Sequence, residues 1–209
     1  MFGPLYEQAL TGERCWVRHD DGRRRRLPVH RWLGGHGADK VFDDAVVELC
    51  SGPTIDLGCG PGRFVAHLMR KGIPALGIDQ SATAVGLARR NGAPALHRDM
   101  FAPLPGLGHW QTVLLVDGNV GVAGDPWRVL ARAAELMEPR GRCIAEFDSL
   151  ATGVQSSWVR LESASAAGPW FRWASVGLDC AVRLAEEIGL SVKEIHRIGS
   201  RALASLAVA

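Results

Sequence analysis

The sequence is notable first for what it lacks. No run of apolar residues approaches membrane-spanning length. The first ten residues, MFGPLYEQAL, have neither the basic nor the apolar region of a secretory leader. Five cysteines (Cys15, Cys50, Cys59, Cys143, Cys180) are scattered, odd in number and without a CxxC pair, which argues against a disulfide framework or a zinc site and for a reducing compartment. Together these absences predict a cytoplasmic protein. A net charge of +2 over 209 residues gives no global attraction to nucleic acid or membrane. Internal repeats, low-complexity tails and linkers are missing, so a single domain with a full core is the economical reading.

What is present is a rhythm of short apolar strands and amphipathic helices. Residues 1–50 form a lead-in: a β-hairpin turning at Asp20-Asp21-Gly22, a loop HRWLGGHG, and a helix ADKVFDDAVVELC with Val41, Phe42, Ala45, Val46 and Leu49 at helical spacing. Residues 54–148 alternate strand and helix. The strand Thr54–Leu57 breaks into Gly58-Cys59-Gly60-Pro61-Gly62 and resumes as a helix stopping at Gly72. Strands at 74–79, 94–99, 112–119 and 142–148 follow. Ser81 is placed to cap one intervening helix, closed by Asn91-Gly92, and Asp125 followed by Pro126 to start another, ended by Pro139. This pattern predicts an α/β fold, a doubly wound and mostly parallel sheet covered on both faces. Residues 150–173 break the rhythm and read as a small antiparallel insertion. Residues 176–209 supply a helix from about 176 to 188 and two closing strands joined at Gly199-Ser200.

Chemistry concentrates at strand ends. Open α/β sheets bind ligands beyond the carboxyl ends of their strands, and Asp56, Asp79 and Asp99 fall at three successive ends. Glycines between strand and helix let a ligand approach bare backbone beside the N–H groups of a helix start. A dinucleotide fingerprint needs a glycine at position 63, where this chain has Arg63, and no GK[ST] follows for a phosphate loop.

At this point the sequence resembles the class I S-adenosylmethionine-dependent methyltransferases, over roughly residues 50–148. Asp56, Gly58, Gly60 and Gly62 match their first motif, Asp79 the acidic residue ending the second strand, and Asp99 the acidic residue after the third. The run DGNVGVAGDP, with the upstream HRW, is also similar to a group of small actinobacterial-type methyltransferases, a resemblance that carries no substrate. The resemblance implies a seven-stranded sheet with its last strand antiparallel, and S-adenosylmethionine as methyl donor without a metal. It implies cofactor contacts from Asp56, Gly58, Cys59, Gly60, Gly62, Asp79, Gln80, Asp99, Met100 and Asp117. Asp79 would hold the ribose hydroxyls and Asp99 the adenine amino group, with Met100 against the ring.

After the fourth strand, Asp117-Gly118-Asn119 departs from the Asn/Asp-Pro-Pro-aromatic motif of base and glutamine amino-methyltransferases. Asp117 and Asn119 are the candidate catalytic residues, orienting an acceptor, with a plain turn as the competing reading. Trp32, His36, Trp170, Phe171 and Trp173 are candidates to line the acceptor space, and His30 and His109 are further loop histidines. Short segments around the core favour a small-molecule acceptor. Two other readings remain: a non-catalytic S-adenosylmethionine-binding protein, and a nucleic-acid methyltransferase using Arg23–Arg26. Adjoining Asp20 and Asp21, and alternation along a strand, favour a solvated hairpin for those arginines. No metal-ligand spacing occurs.

Overall fold

The computed structural model describes residues 3–209. Met1 and Phe2, which open the segment inspected for a leader, lie outside them. In chain order the elements are α1 (Gly3–Leu10), β1 (Trp16–His19), β2 (Arg24–Arg26), α2 (Val29–Trp32), α3 (Ala38–Leu49), β3 (Thr54–Leu57), α4 (Arg63–Arg70), β4 (Ala75–Asp79), α5 (Ala82–Arg90), β5 (Ala95–His97), β6 (Trp110–Leu115), α6 (Pro126–Leu136), β7 (Met137–Phe147), β8 (Val154–Glu162), β9 (Phe171–Val176), α7 (Ala181–Glu186), β10 (Leu190–Ile198) and β11 (Arg201–Val208).

Seven strands form one sheet in the order β10-β11-β7-β6-β3-β4-β5. β3, β4, β5, β6 and β7 are parallel, whereas β11 runs antiparallel to both of its neighbours, β7 and β10. β3 has all four residues buried, as a central strand covered on both faces requires. One face packs Ile55, Leu57, Ile78 and Val113 of the sheet with Val129, Leu130 and Ala133 of α6 and Leu184 of α7. The other packs Phe42, Val46, Phe64, Val65 and Leu68 from α3 and α4 against Leu114, Ile144 and Leu203. Successive strands run outward from β3 in one direction through β4 and β5, then in the other through β6 and β7. The switch opens a crevice beyond the carboxyl ends of β3 and β6.

Local start signals hold. Ser81 Oγ accepts the Ala84 N–H, and the Asp125 carboxylate accepts the Arg128 N–H with Pro126 in the first helical turn. Gly62, at φ +79°, starts α4 from the left-handed region. A Cβ there would lie 2.7 Å from that of Ala88 and 2.8 Å from that of Ala93, so this glycine serves close packing of α4 on α5.

Several boundaries differ from expectation. HRWLGGHG is not all loop, because α2 forms within it and carries Trp32. Residues 3–10, for which no element was expected, form α1; its Leu5, Tyr6, Ala9 and Leu10 pack on Leu161, Ala84 and Leu27. Val41 is exposed, and Val47 is buried on that helix instead. β7 begins at Met137 and passes through Pro139, at an irregular register between Trp110 and Thr112 of β6, where a missing N–H is tolerated. The closing helix is shorter than expected, since Val176 still belongs to β9 and α7 starts at Ala181.

The insertion has a partner that lies far away in sequence. β8 and β9 form an antiparallel pair, and β8 also pairs with β1, giving a second sheet in the order β2-β1-β8-β9. Glu162 faces Trp16 and Val159 faces His19 across that junction. Bridges from Val122 to Trp173 and from Asp148 to Gly177 tie it to the main sheet. The hairpin and the insertion therefore make one four-stranded cover over the crevice.

Candidate functional site

Between the crevice and its cover lies a cavity of about 640 Å³. Its floor comprises Gly58, Cys59, Gly60 and Ile78, with Asp79, Gln80 and Met100 to one side and Asp117, Gly118 and Asn119 to the other. Its roof is the inner face of the second sheet, with Val17, His19, Val159, Phe171 and Trp173. Tyr6 and Trp32 close one end, their rings edge to face at 5.7 Å.

The glycine loop presents bare backbone. A Cβ on Gly60, at φ +54°, would meet only the Tyr6 hydroxyl, at 3.5 Å, so a ligand can reach the main chain there. Gly58, at φ +82°, is needed for a different reason: a Cβ would lie 2.6 Å from the Asn119 side-chain nitrogen. Asp79 ties the loop to the next helix. Its Oδ2 accepts the Gly60 N–H at 2.8 Å and its Oδ1 accepts the Ser81 N–H at 2.8 Å, which leaves each oxygen a further lone pair. Burial raises the Asp79 carboxyl above its usual value, and the Ser81 and Gly60 N–H groups offset part of that rise. Burial, with Asp79 nearby, raises the Tyr6 phenol well above 10, so it stays protonated.

Asp117 does not present a free carboxylate. Its Oδ2 lies 2.6 Å from Arg63 Nη1 and its Oδ1 2.7 Å from Arg201 Nη2. Arg63 also donates to both oxygens of Asp43, and Arg201 to both of Glu146, which in turn accepts the Asp117 N–H. Burial alone would raise the Asp117 carboxyl; the two guanidiniums overcome it and hold the group below its ordinary value. Asn119 is likewise engaged, its side-chain N–H groups donating to the Leu57 and Gly58 carbonyls. Both residues line the cavity, where these contacts engage their side chains in holding its floor.

The remaining expected residues divide clearly. Gly58, Cys59, Gly60, Asp79, Gln80, Met100, Asp117, Trp32, Phe171 and Trp173 all line the cavity. Asp56 lies beneath it, buried to 2%, and Gly62 faces Ala88 and Ala93. Asp99 is exposed beyond the end of β5, with Oδ1 accepting the Phe101 N–H, and it does not line the cavity. Trp170 is on the outer side with Arg160 over its ring at 4.7 Å, and His36 is exposed in the turn before α3. Tyr6, His19, Arg25, Arg63 and Arg201 line the cavity without having been singled out as site residues. Alternation along β1 would have placed Val17 and His19 on one face, but only the pairing with β8 reveals that this face looks inward.

Among the described residues, neither the buried Asp56 Oδ2 nor Arg63 Nη2 nearby has a hydrogen-bond partner. Burial first, with Asp117 and Asp79 adding to it, raises the Asp56 carboxyl to about 7 against the pull of Arg63. A folded-state value above the unfolded one adds stability below about pH 4, and that stability is lost as pH rises through about 7. Three units correspond to about 4 kcal/mol. In urea denaturation we therefore expect the stability of Asp56→Asn relative to wild type to improve by up to about 4 kcal/mol between pH 4 and pH 8. A difference that stays constant over that window would show Asp56 to be ionised throughout.

Among the described residues no group of His, Cys, Asp and Glu is arranged to hold a metal ion, and no helix is long and apolar enough to cross a membrane. All five cysteines are free and buried.

Residues 55–145 match a family model described as a methyltransferase domain. No curated protein matches the chain. Among solved structures, a SAM-dependent methyltransferase from Bacteroides fragilis, in complex with S-adenosyl-L-homocysteine, is 18% identical with a TM-score of 0.80, covering 98% of this chain and 91% of its own. The CcbJ methyltransferase from Streptomyces caelestis is 18% identical with a TM-score of 0.61, covering 85% of this chain and 92% of its own. The Burkholderia thailandensis 1,6-didemethyltoxoflavin-N1-methyltransferase, with 1,6-didemethyltoxoflavin and S-adenosylhomocysteine bound, is 16% identical with a TM-score of 0.58, covering 79% of this chain and 76% of its own. At these identities the likeness is one of fold. The family match runs from β3, through the glycine loop and Asp79, into β7, so residues 55–145 match a methyltransferase domain, within a fold that the chain shares with S-adenosylmethionine-dependent methyltransferases.

Proposed function

We propose that this enzyme transfers a methyl group from S-adenosylmethionine to a small-molecule acceptor held under the four-stranded cover, the described chain acting as one methyltransferase domain. The observation that carries the reading is that bare Gly58–Gly60 backbone, Asp79 and an apolar roof face one cavity of about 640 Å³, a size suited to small ligands.

The residues present fit the donor. The space in front of Gly60 would admit its amino-acid tail, and the positive end of α4 would favour that tail's carboxylate. The spare lone pairs of Asp79 suit the vicinal ribose hydroxyls, and Met100 and Ile78 offer apolar surface for the base. When bound, S-adenosylmethionine supplies a methyl group on a positively charged sulfur, already activated toward a nucleophile. The protein's task is then to align the two reactants and exclude water. Trp173 packs over Gly118 just beyond β6, at 3.8 Å from where a Cβ would stand, and screens that region from solvent. Arg63, Arg201 and Asp117 fix the floor below it.

A small acceptor is favoured because the protein roofs the site itself. Half of the arginine-rich hairpin is already engaged within the protein, which weakens it as a nucleic-acid surface: Arg23 pairs with Asp21, and Arg24 stacks on Trp16 and pairs with Glu162. Small-molecule chemistry also occurs within the fold, as in the toxoflavin-precursor enzyme.

Calorimetry with S-adenosylhomocysteine, followed by transfer of labelled methyl from S-adenosylmethionine to a panel of small acceptors, tests the proposal. We expect one saturable site per chain and label in at least one acceptor. Absence of binding refutes the methyl-transfer reading. Binding without label entering any acceptor would favour a non-catalytic S-adenosylmethionine-binding protein.

A further inference from the structure

The charged side chains that line the cavity are nearly all engaged with one another or with backbone. Asp79 holds Gly60 and Ser81, and Asp117 and Glu146 hold Arg63 and Arg201. Asp148 accepts from the Leu150 and Ala151 N–H groups and from Ser175 Oγ. Arg31 pairs with Asp39 at 3.1 Å, and Arg98 donates to the Pro103 carbonyl. Arg25 and Arg26 are different. Both line the cavity from β2, and among the described residues neither makes an ion pair or a side-chain hydrogen bond. Arg25 stands opposite Val17, on the face that Val17 turns inward, whereas Arg26 stands opposite Trp16 and alternates to the other face. The charge left over in the cavity is therefore positive, and it sits on the cover rather than on the floor.

On the same inward face, two residues along β1 from Val17, stands His19. Its Nδ1 is 3.5 Å from Ser157 Oγ on β8, and its Nε2 has no hydrogen-bond partner among the described residues. Ser157 in turn faces Trp173 in the β8–β9 register, and Trp173 lies over Gly118. His19 and Arg25 are diagonal neighbours across the β1–β2 pair, with Cα atoms about 7–8 Å apart. Between and beside them the surface is apolar: Val17, Val159, Phe171 and Trp173.

Resting on the methyl-transfer reading above, we propose that the acceptor is a hydroxy-substituted carboxylate with an apolar body, its carboxylate paired to Arg25 and its hydroxyl proton taken by His19. The diagonal spacing suits groups separated by a single ring, as in a hydroxybenzoate. A hydroxyl needs such a base because it keeps its proton at neutral pH, whereas a neutral amine already offers a lone pair. The atoms balance simply. The hydroxyl proton moves to His19, the acceptor oxygen bonds to the methyl carbon, and the carbon–sulfur bond breaks with its electron pair staying on sulfur. The product pair is a methyl ether and a neutral thioether, with His19 protonated until it releases its proton to water.

The charged groups around His19 are Arg23, Asp20 and Asp21 from the turn and Arg25 from β2, while β8 contributes the neutral Ser157. Burial, followed by Arg23 and Arg25, lowers the imidazole below its ordinary 6.5, against the smaller upward pull of Asp21 and Asp20. The side chain is thus the neutral, proton-accepting form at pH 7.

The test uses 2-, 3- and 4-hydroxybenzoate and the matching hydroxybenzamides as probes. Binding to the protein saturated with S-adenosylhomocysteine is read by calorimetry, and turnover by labelled methyl. At least one hydroxybenzoate is expected to bind and be methylated, with its amide at least 10-fold weaker. Arg25→Gln should weaken hydroxybenzoate binding at least 10-fold and leave the amides unchanged. His19→Gln should lower kcat about 100-fold with little change in KM, and remove the fall in kcat/KM on the acid side. S-adenosylhomocysteine affinity should be unchanged in both variants. The proposal is overturned if no hydroxybenzoate binds, if amides bind and react as well as acids, if Arg25→Gln weakens both classes alike, or if His19→Gln keeps the acid limb. Loss of S-adenosylhomocysteine binding by the wild type would instead remove the methyl-transfer reading on which it rests.

Discussion

Asp117→Ala is expected to lower the stability of the fold by about 3–5 kcal/mol, the range for breaking a buried ion pair by removing one partner. Asp117 is the shared carboxylate of Arg63 and Arg201, whose side chains are only 9% and 11% exposed. Arg63 would keep Asp43 and Arg201 would keep Glu146, so the loss falls short of stranding two bare charges. A second contribution comes from the backbone. Asp117 sits at φ +57°, a conformation that Asp and Asn tolerate better than Ala. Asp117→Asn therefore separates the two effects, since it keeps the backbone preference and a hydrogen-bond acceptor while losing the charge. It should cost less than alanine but remain clearly destabilising. Because the two arginines lower the Asp117 carboxyl, its stabilising contribution is present above the unfolded value near pH 4 and is lost as pH falls through the lower folded value. Urea denaturation reads all three effects as shifts of the midpoint at constant slope. A change of less than about 1 kcal/mol for Asp117→Ala would mean that the network does not hold the floor together.

Asp79→Ala should weaken S-adenosylhomocysteine binding by about 100-fold or more. Two hydrogen bonds to a carboxylate, at about 1.5 kcal/mol each at the low end, amount to about 3 kcal/mol. The same substitution removes the acceptor of the Gly60 and Ser81 N–H groups and so loosens the loop whose bare backbone faces the ligand. Asp79→Asn retains one oxygen and should fall between alanine and wild type. Midpoints of urea denaturation measured alongside would show whether each variant stays folded. Binding of equal strength by wild type and Asp79→Ala, both folded, would rule out Asp79 as a cofactor residue.

The two variants differ in what they disturb. Asp117 acts on the floor through a network that spans α3, α4, β7 and β11, so its loss is felt in folding. Asp79 acts at one strand end, so its loss is felt in binding. The proposed acceptor groups, His19 and Arg25, belong to the cover and touch neither network, which is why their substitution is expected to spare both stability and cofactor affinity.

How much of this was legible in the chain follows from the range of each signal. The glycine spacing, the Ser81 and Asp125 caps, the Gly62 start of α4 and the alternation of apolar strands with helices depend on residues within a few positions of one another. The sequence by itself determined those, and with them the doubly wound sheet, the crevice at its switch point and the place of Asp79. Asp117 and Asn119 were found as residues of the site, but their engagement with Arg201, 84 residues away from Asp117, and with the Leu57 carbonyl, 62 residues from Asn119, was not. Asp99 was placed at a strand end, yet β5 stops at His97 and the carboxylate turns back onto its own backbone. The cover was the least legible part. β1 meets β8 across 140 to 146 residues, and neither strand carries a local mark of the other. A strand's pattern shows that it has two faces, and only its pairing decides which of them looks inward. Tertiary structure alone therefore turned a hairpin and an insertion into a roof, and set His19 and Arg25 among the residues of that roof that line the cavity.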